Sequence, residues 1–130
     1  MSKIALRSSL RSTMAAVMLL GLVMNAARAE DFLSVLDDMP LAPGLTELTD
    51  QAASFETPAG RIVDAAAQGA AAPQKVSSFY DRTLPALGWV REGPGRFIRD
   101  QERLVIVLTE AAPKGQVVVR FSVRPRRGGG

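Results

Sequence analysis

Six positions, Val76, Phe79, Tyr80, Thr83, Leu84 and Leu87, recur at offsets of 0, 3, 4, 7, 8 and 11. That spacing keeps them on one side of a helix. Pro73 suits its first position, where a missing N–H costs nothing. Pro85 removes a donor and crowds the carbonyl of Asp81, which predicts a kink or an early end near Leu84. Gly88 then supplies the left-handed residue that closes the helix, and Trp89 opens a strand. Upstream, Phe32, Val35, Leu36 and Met39 also have helical spacing, so a short amphipathic helix is expected over Asp31–Met39, ended by Pro40 and turned by Pro43-Gly44. Leu45 to Asp50 reads as extended or looped.

Ala53–Glu56 and Arg61–Ala65 flank Thr57-Pro58-Ala59-Gly60, which has turn chemistry, and predict a β-hairpin. Ala65 to Ala72, interrupted by Gly69, reads as a small-residue link into the helix. Beyond Trp89 the period changes to two. Trp89–Glu92 and Arg96–Arg99 enclose a Gly93-Pro94-Gly95 turn. Leu104, Ile106 and Leu108 share one strand face, with Val105, Val107 and Thr109 on the other. That strand is apolar on both faces and is expected to be central. In the last strand Val117, Val119, Phe121 and Val123 alternate with polar residues, the mark of a half-buried antiparallel strand. Pro125 ends it.

The order is strand, strand, helix and four strands. One helix packed on an antiparallel sheet, an α+β two-layer domain (ββαββββ), accounts for it. The expected organisation is a leader over 1–29, an acidic segment with a short helix over 30–50, the α+β domain over 51–125 and a loose tail over 126–130.

The leader reading rests on three parts. Lys3, Arg7 and Arg11 form a basic start, Met14–Met24 is an apolar run, and Ala27-Arg28-Ala29 offers small residues for cleavage after Ala29, as in a secretory signal peptide. The expected location is periplasmic or secreted. The whole chain has a formal charge of +3. The leader holds Lys3, Arg7, Arg11 and Arg28 and no acid, so 16 − 4 = 12 bases face 13 acids in the rest. The basic pI therefore belongs to the leader and gives no reason to expect nucleic-acid binding. Glu30 to Pro58 carries seven acids and no base, whereas Ala59 onward carries 12 bases and six acids.

Phe79-Tyr80, Leu84 and Gly88-Trp89 after a hairpin, preceded by Met39-Pro40-Leu41-Ala42-Pro43-Gly44, resemble a pattern of small bacterial envelope proteins and lipoproteins. In those, a Pro-Gly segment leads into a strand pair, an "FY…L…GW" helix and further strands. The resemblance implies the fold and the compartment, and it brings no catalytic residue. Lipid anchoring does not carry over, because no cysteine stands at the cleavage site.

The chain has no His and no Cys. An imidazole base, a Ser-His-Asp triad and an ordinary zinc or copper site are thereby excluded. Ser77 and Ser78 lie on other helix faces from Lys75, so a nucleophilic Ser–Lys pair is disfavoured. Asp37-Asp38 lacks a calcium loop's ligand number. No enzyme activity and no cofactor are expected. The basic strand residues Arg91, Arg96, Arg99, Arg103, Arg120 and Arg124 are the remaining candidates, since guanidinium forks bind carboxylates and phosphates. The first expectation is an exported module that binds another envelope protein through a sheet face or edge bearing Arg91, Arg99, Arg120 and Arg124. An anionic headgroup or the chain's own acidic segment are the other partners considered, with membrane contact at most peripheral. The alternative is a small-ligand binder with Tyr80 and Trp89 lining a pocket between helix and sheet.

Overall fold

A computed structural model describes residues 31–126. The expected leader, its expected cleavage site and residues 127–130 lie outside the described residues. The elements in chain order are β1 (Phe32–Leu33), β2 (Leu36–Pro40), β3 (Leu45–Glu47), β4 (Ala53–Thr57), β5 (Gly60–Gly69), α1 (Pro73–Thr83), β6 (Val90–Gly93), β7 (Arg96–Arg99), β8 (Glu102–Ala111) and β9 (Gln116–Pro125). Short 3-10 turns occupy Thr49–Gln51 and Leu84–Leu87.

The architecture is one helix on a large antiparallel sheet, as the residue pattern predicts. The main sheet runs β3-β5-β9-β8-β7-β6, with β4 pairing the other half of the same β5 edge. All its pairs are antiparallel. The last strand is thus interior, held by β5 on one side and β8 on the other. Its alternation is the one expected: Val117, Val119, Phe121 and Val123 are buried, and the residues between them are not.

The helix starts on Pro73 and ends where Pro85 forbids its continuation, passing through Leu84–Leu87 to Gly88 at φ 92°. Its buried stripe, Val76, Tyr80 and Leu84, meets Phe97, Leu104, Ile106 and Phe121 in one core. Tyr80 packs edge-on against both Phe79 and Phe121, with centroids 5.0 and 5.5 Å away. Aromatic pairs favour that geometry.

Two expectations are corrected. The helix expected over Asp31–Met39 is instead the β1–β2 hairpin. Its Leu33, Leu36 and Met39 are fully buried in the main core, so residues 31–50 and 51–125 share one interior. The expected link over Ala65–Ala72 is strand as far as Gly69. Ala65 and Ala67 sit opposite Phe121 and Val119, and small side chains there leave room beside Phe121 for the Tyr80 ring. At the end of that strand, a Cβ on Gly69 would lie 1.9 Å from the Gly44 carbonyl oxygen. Only glycine permits that crossing.

Arg126, placed with the tail by the sequence, is tied to the sheet by its N–H, which donates to the Gln101 carbonyl at 2.6 Å. Among the described residues no helix is long and apolar enough to cross a membrane.

Candidate functional site

Strand register divides the arginines between two faces. Arg91 stands opposite buried Phe97, and Arg99 stands opposite Glu102, so both belong to the side that carries α1 and the N-terminal hairpin. Arg103 pairs with Arg124, Arg120 with Val107, and Arg96 with Val105, which places these four on the opposite, helix-free side. The single arginine face expected from the sequence is therefore two groups.

The helix-side pair is structural in its contacts. Arg91 Nε donates to Asp81 of α1 at 3.3 Å, an exposed pair that ties the edge strand to the helix. Arg99 donates to Asp38 Oδ2 at 2.7 Å and to the Leu87 carbonyl at 3.0 Å. Its guanidinium also stacks over Trp89, 4.2 Å from the ring centroid. The acidic N-terminal segment thus does fold against the basic body, through Asp38. Next to this cluster Arg61 makes a forked pair with Glu102 at 2.6 and 3.0 Å. The hydrogen bond that Arg61 donates to Glu102 raises the Arg61 pKa against a smaller opposing effect of burial.

On the helix-free side Arg124 is held by Asp64 at 2.9 Å and by the Val63 carbonyl at 3.1 Å. Arg103 reaches Glu92 at 3.3 Å. Arg120 donates only to the neutral side chain of Gln51, at 3.1 Å. Arg96 has neither a hydrogen-bond nor an ion-pair partner among the described residues. Among the described residues, two guanidinium groups without a carboxylate therefore flank Val105 and Val107, each directly opposite one of them across a strand pair. Phe55, Val90 and Val107 are 60%, 62% and 50% exposed. Register puts all three on this same face, since Phe55 opposes Ile62 and Val90 opposes Ile98. Reasoning from the sequence found the arginines but missed Phe55 and Val107. The signal for Val107 lies in a strand apolar on both sides: β8 is interior to the sheet, as expected, but its second face is left uncovered at Val107.

Tyr80 and Trp89 are each 1% exposed. The Tyr80 hydroxyl donates to the Pro40 carbonyl at 2.9 Å and accepts from the Ala42 N–H at 3.1 Å. Burial raises its pKa well above the usual tyrosine value, and the Ala42 hydrogen bond offsets this only in part. The Trp89 Nε1–H is buried with no hydrogen-bond partner, and one face of its ring lies under Arg99. The space between helix and sheet that Tyr80 touches holds about 90 Å³, too little for a metabolite. Trp89 does not line it.

A larger groove, about 760 Å³, runs along the outer flank of α1 between the helix and the Ala42–Gly44 and Ala70–Ala72 segments. Among the described residues no group of three or more acids is placed to hold a metal ion. Comparison with protein-family profiles, curated proteins and solved structures returns no match to this chain. Its function is accordingly argued from its own residues.

Proposed function

We propose that this chain is an exported, non-enzymatic module that binds another envelope protein on the helix-free face of its sheet. The observation that carries the reading is the Val105–Val107 strip with Arg96 and Arg120 beside it, both lacking a carboxylate. Apolar side chains left in water beside uncommitted guanidinium groups suit a partner surface with aliphatic and acidic residues. Arginine and large apolar groups are also the types that concentrate binding energy at interfaces. The leader pattern supports export, and the want of histidine and cysteine supports a binding role over catalysis. The docking residues are Arg96, Arg120, Val107 and Phe55, while Arg91, Arg99 and Arg124 serve chiefly to hold the fold.

The test is affinity capture from periplasmic extract with wild type, Arg96→Ala/Arg120→Ala and Val107→Asp, each checked for an unchanged thermal melt. A partner held by wild type, released by moderate salt and lost from both variants is expected. The same proteins recovered on all three baits would refute the reading.

A further inference from the structure

The groove beside α1 has two unlike walls. One consists of Ala42, Pro43 and Ala70–Ala72, which offer only apolar side chains. The other is the helix, which presents Gln74, Lys75, Ser78 and Arg82 over an apolar floor of Val76 and Phe79. Residues 75, 78 and 82 follow the i, i+3, i+7 pattern of α1 and so share one helix face, which corrects the expectation that Ser78 lies on another face from Lys75. No acid lines the groove. Lys75 has no hydrogen-bond or ion-pair partner among the described residues, and Arg82 bonds only to the Ser78 carbonyl of its own helix, at 3.1 Å. By contrast Arg61, Arg91, Arg99, Arg103 and Arg124 are each paired with a carboxylate. Two cations with no carboxylate partner among the described residues therefore sit against an apolar channel whose size falls within the range of small-molecule sites, about 300–1,000 Å³.

We propose that this groove binds a fatty-acid carboxylate with an alkyl chain of about twelve carbons. The head group lies over Ser78, where Lys75 and Arg82 converge on it from either side and the Ser78 hydroxyl donates a further hydrogen bond. The alkyl chain lies along the alanine and proline wall and the Phe79 ring, releasing water from both surfaces. A peptide fits less well. Its backbone amides need partners, and the apolar wall has no side chain to supply them. This site is separate from the helix-free sheet face and does not depend on what binds there.

The test is calorimetric titration of the full chain with dodecanoate below its micellar range, beside dodecyltrimethylammonium, which has the same chain and the opposite charge, and an acidic peptide. The expected result is saturable one-to-one binding of dodecanoate alone. Affinity should fall roughly a hundredfold in Lys75→Ala/Arg82→Ala, the loss of two charge-assisted hydrogen bonds at roughly tenfold each. Binding should vanish in Ser78→Trp, which fills the groove from an exposed helix position and leaves both charges in place. Both variants are confirmed as folded by circular dichroism. No saturable dodecanoate binding would overturn the proposal. So would equal binding of the two head groups, an affinity unchanged in both folded variants, or a preference for the peptide.

Discussion

Tyr80→Phe tests the join between the helix and the N-terminal hairpin. The substitution keeps the ring, and with it the edge-on contacts to Phe79 and Phe121, so no cavity of consequence opens. It removes one oxygen that serves two backbone groups, the Pro40 carbonyl and the Ala42 N–H. Both groups are buried, and neither regains water when the hydroxyl goes. An unsatisfied buried group costs about 1–3 kcal/mol. For the two together, some of it relieved by small shifts, about 2–3 kcal/mol is expected, a large share of the roughly 5–15 kcal/mol that stabilises a typical domain. The midpoint of urea unfolding should fall at constant slope, and the melting temperature should drop by about 10–20 °C.

The same hydroxyl sets a pH signature. Its folded pKa lies above its unfolded value of about 10, so the native state holds this proton where the unfolded chain releases it. Stability is therefore complete below pH about 10. It is lost at up to about 1.4 kcal/mol per pH unit as pH rises from there towards the folded value. Tyr80→Phe should lack this contribution, leaving a shallower alkaline limb. A loss under about 0.5 kcal/mol, or an alkaline limb identical to wild type, would show that the hydroxyl does not join the two elements.

Arg99→Ala removes the ion pair to Asp38, a carbonyl contact and the lid over Trp89. With Asp38 43% exposed and the pair correspondingly screened, about 2 kcal/mol of stability should be lost. Iodide quenching of Trp fluorescence should rise, while Arg99→Lys, which keeps the charge but not the planar stacking, falls between. Gly69→Ala forces a Cβ into the Gly44 carbonyl, and since Gly69 has no left-handed φ the cost is purely steric. About 2–4 kcal/mol is expected, read by thermal melting, and a melt within error of wild type would contradict the close crossing. Gly88→Ala places a Cβ at φ 92° against the Arg99 stem, so about 1 kcal/mol should be lost, with Trp89 fluorescence again the reporter.

Elements whose side chains report one environment were legible from the residues alone. The stripe of α1, its stop at Pro85 and Gly88, and the alternation of β9 each agree with their burial. The Asp31–Met39 stretch misled because the offsets of Phe32, Val35, Leu36 and Met39 also fit a short hairpin, in which Leu33, Leu36 and Met39 point inward. Nine residues cannot distinguish the two periods, and docking on the sheet decided the matter. Ala65–Gly69 misled for the opposite reason. Alanine and glycine are poor strand formers by propensity, but here Ala65 and Ala67 lie opposite Phe121 and Val119, and the Gly44 backbone crosses at Gly69. For the candidate sites, residue type was legible and pairing was not. Nothing in the order of the chain says that Asp38, 61 residues away, occupies Arg99, or that Arg96 is left without a carboxylate.

The interior position of β9 sets the order of synthesis against the order of assembly. Until residues 116–125 have been made, β5 and β8 have no common neighbour, and α1 has only half a surface to lie on. The two halves of the sheet, β3 and β4 on β5 and β6-β7-β8, meet only through that strand, so the sheet closes only once it is in place.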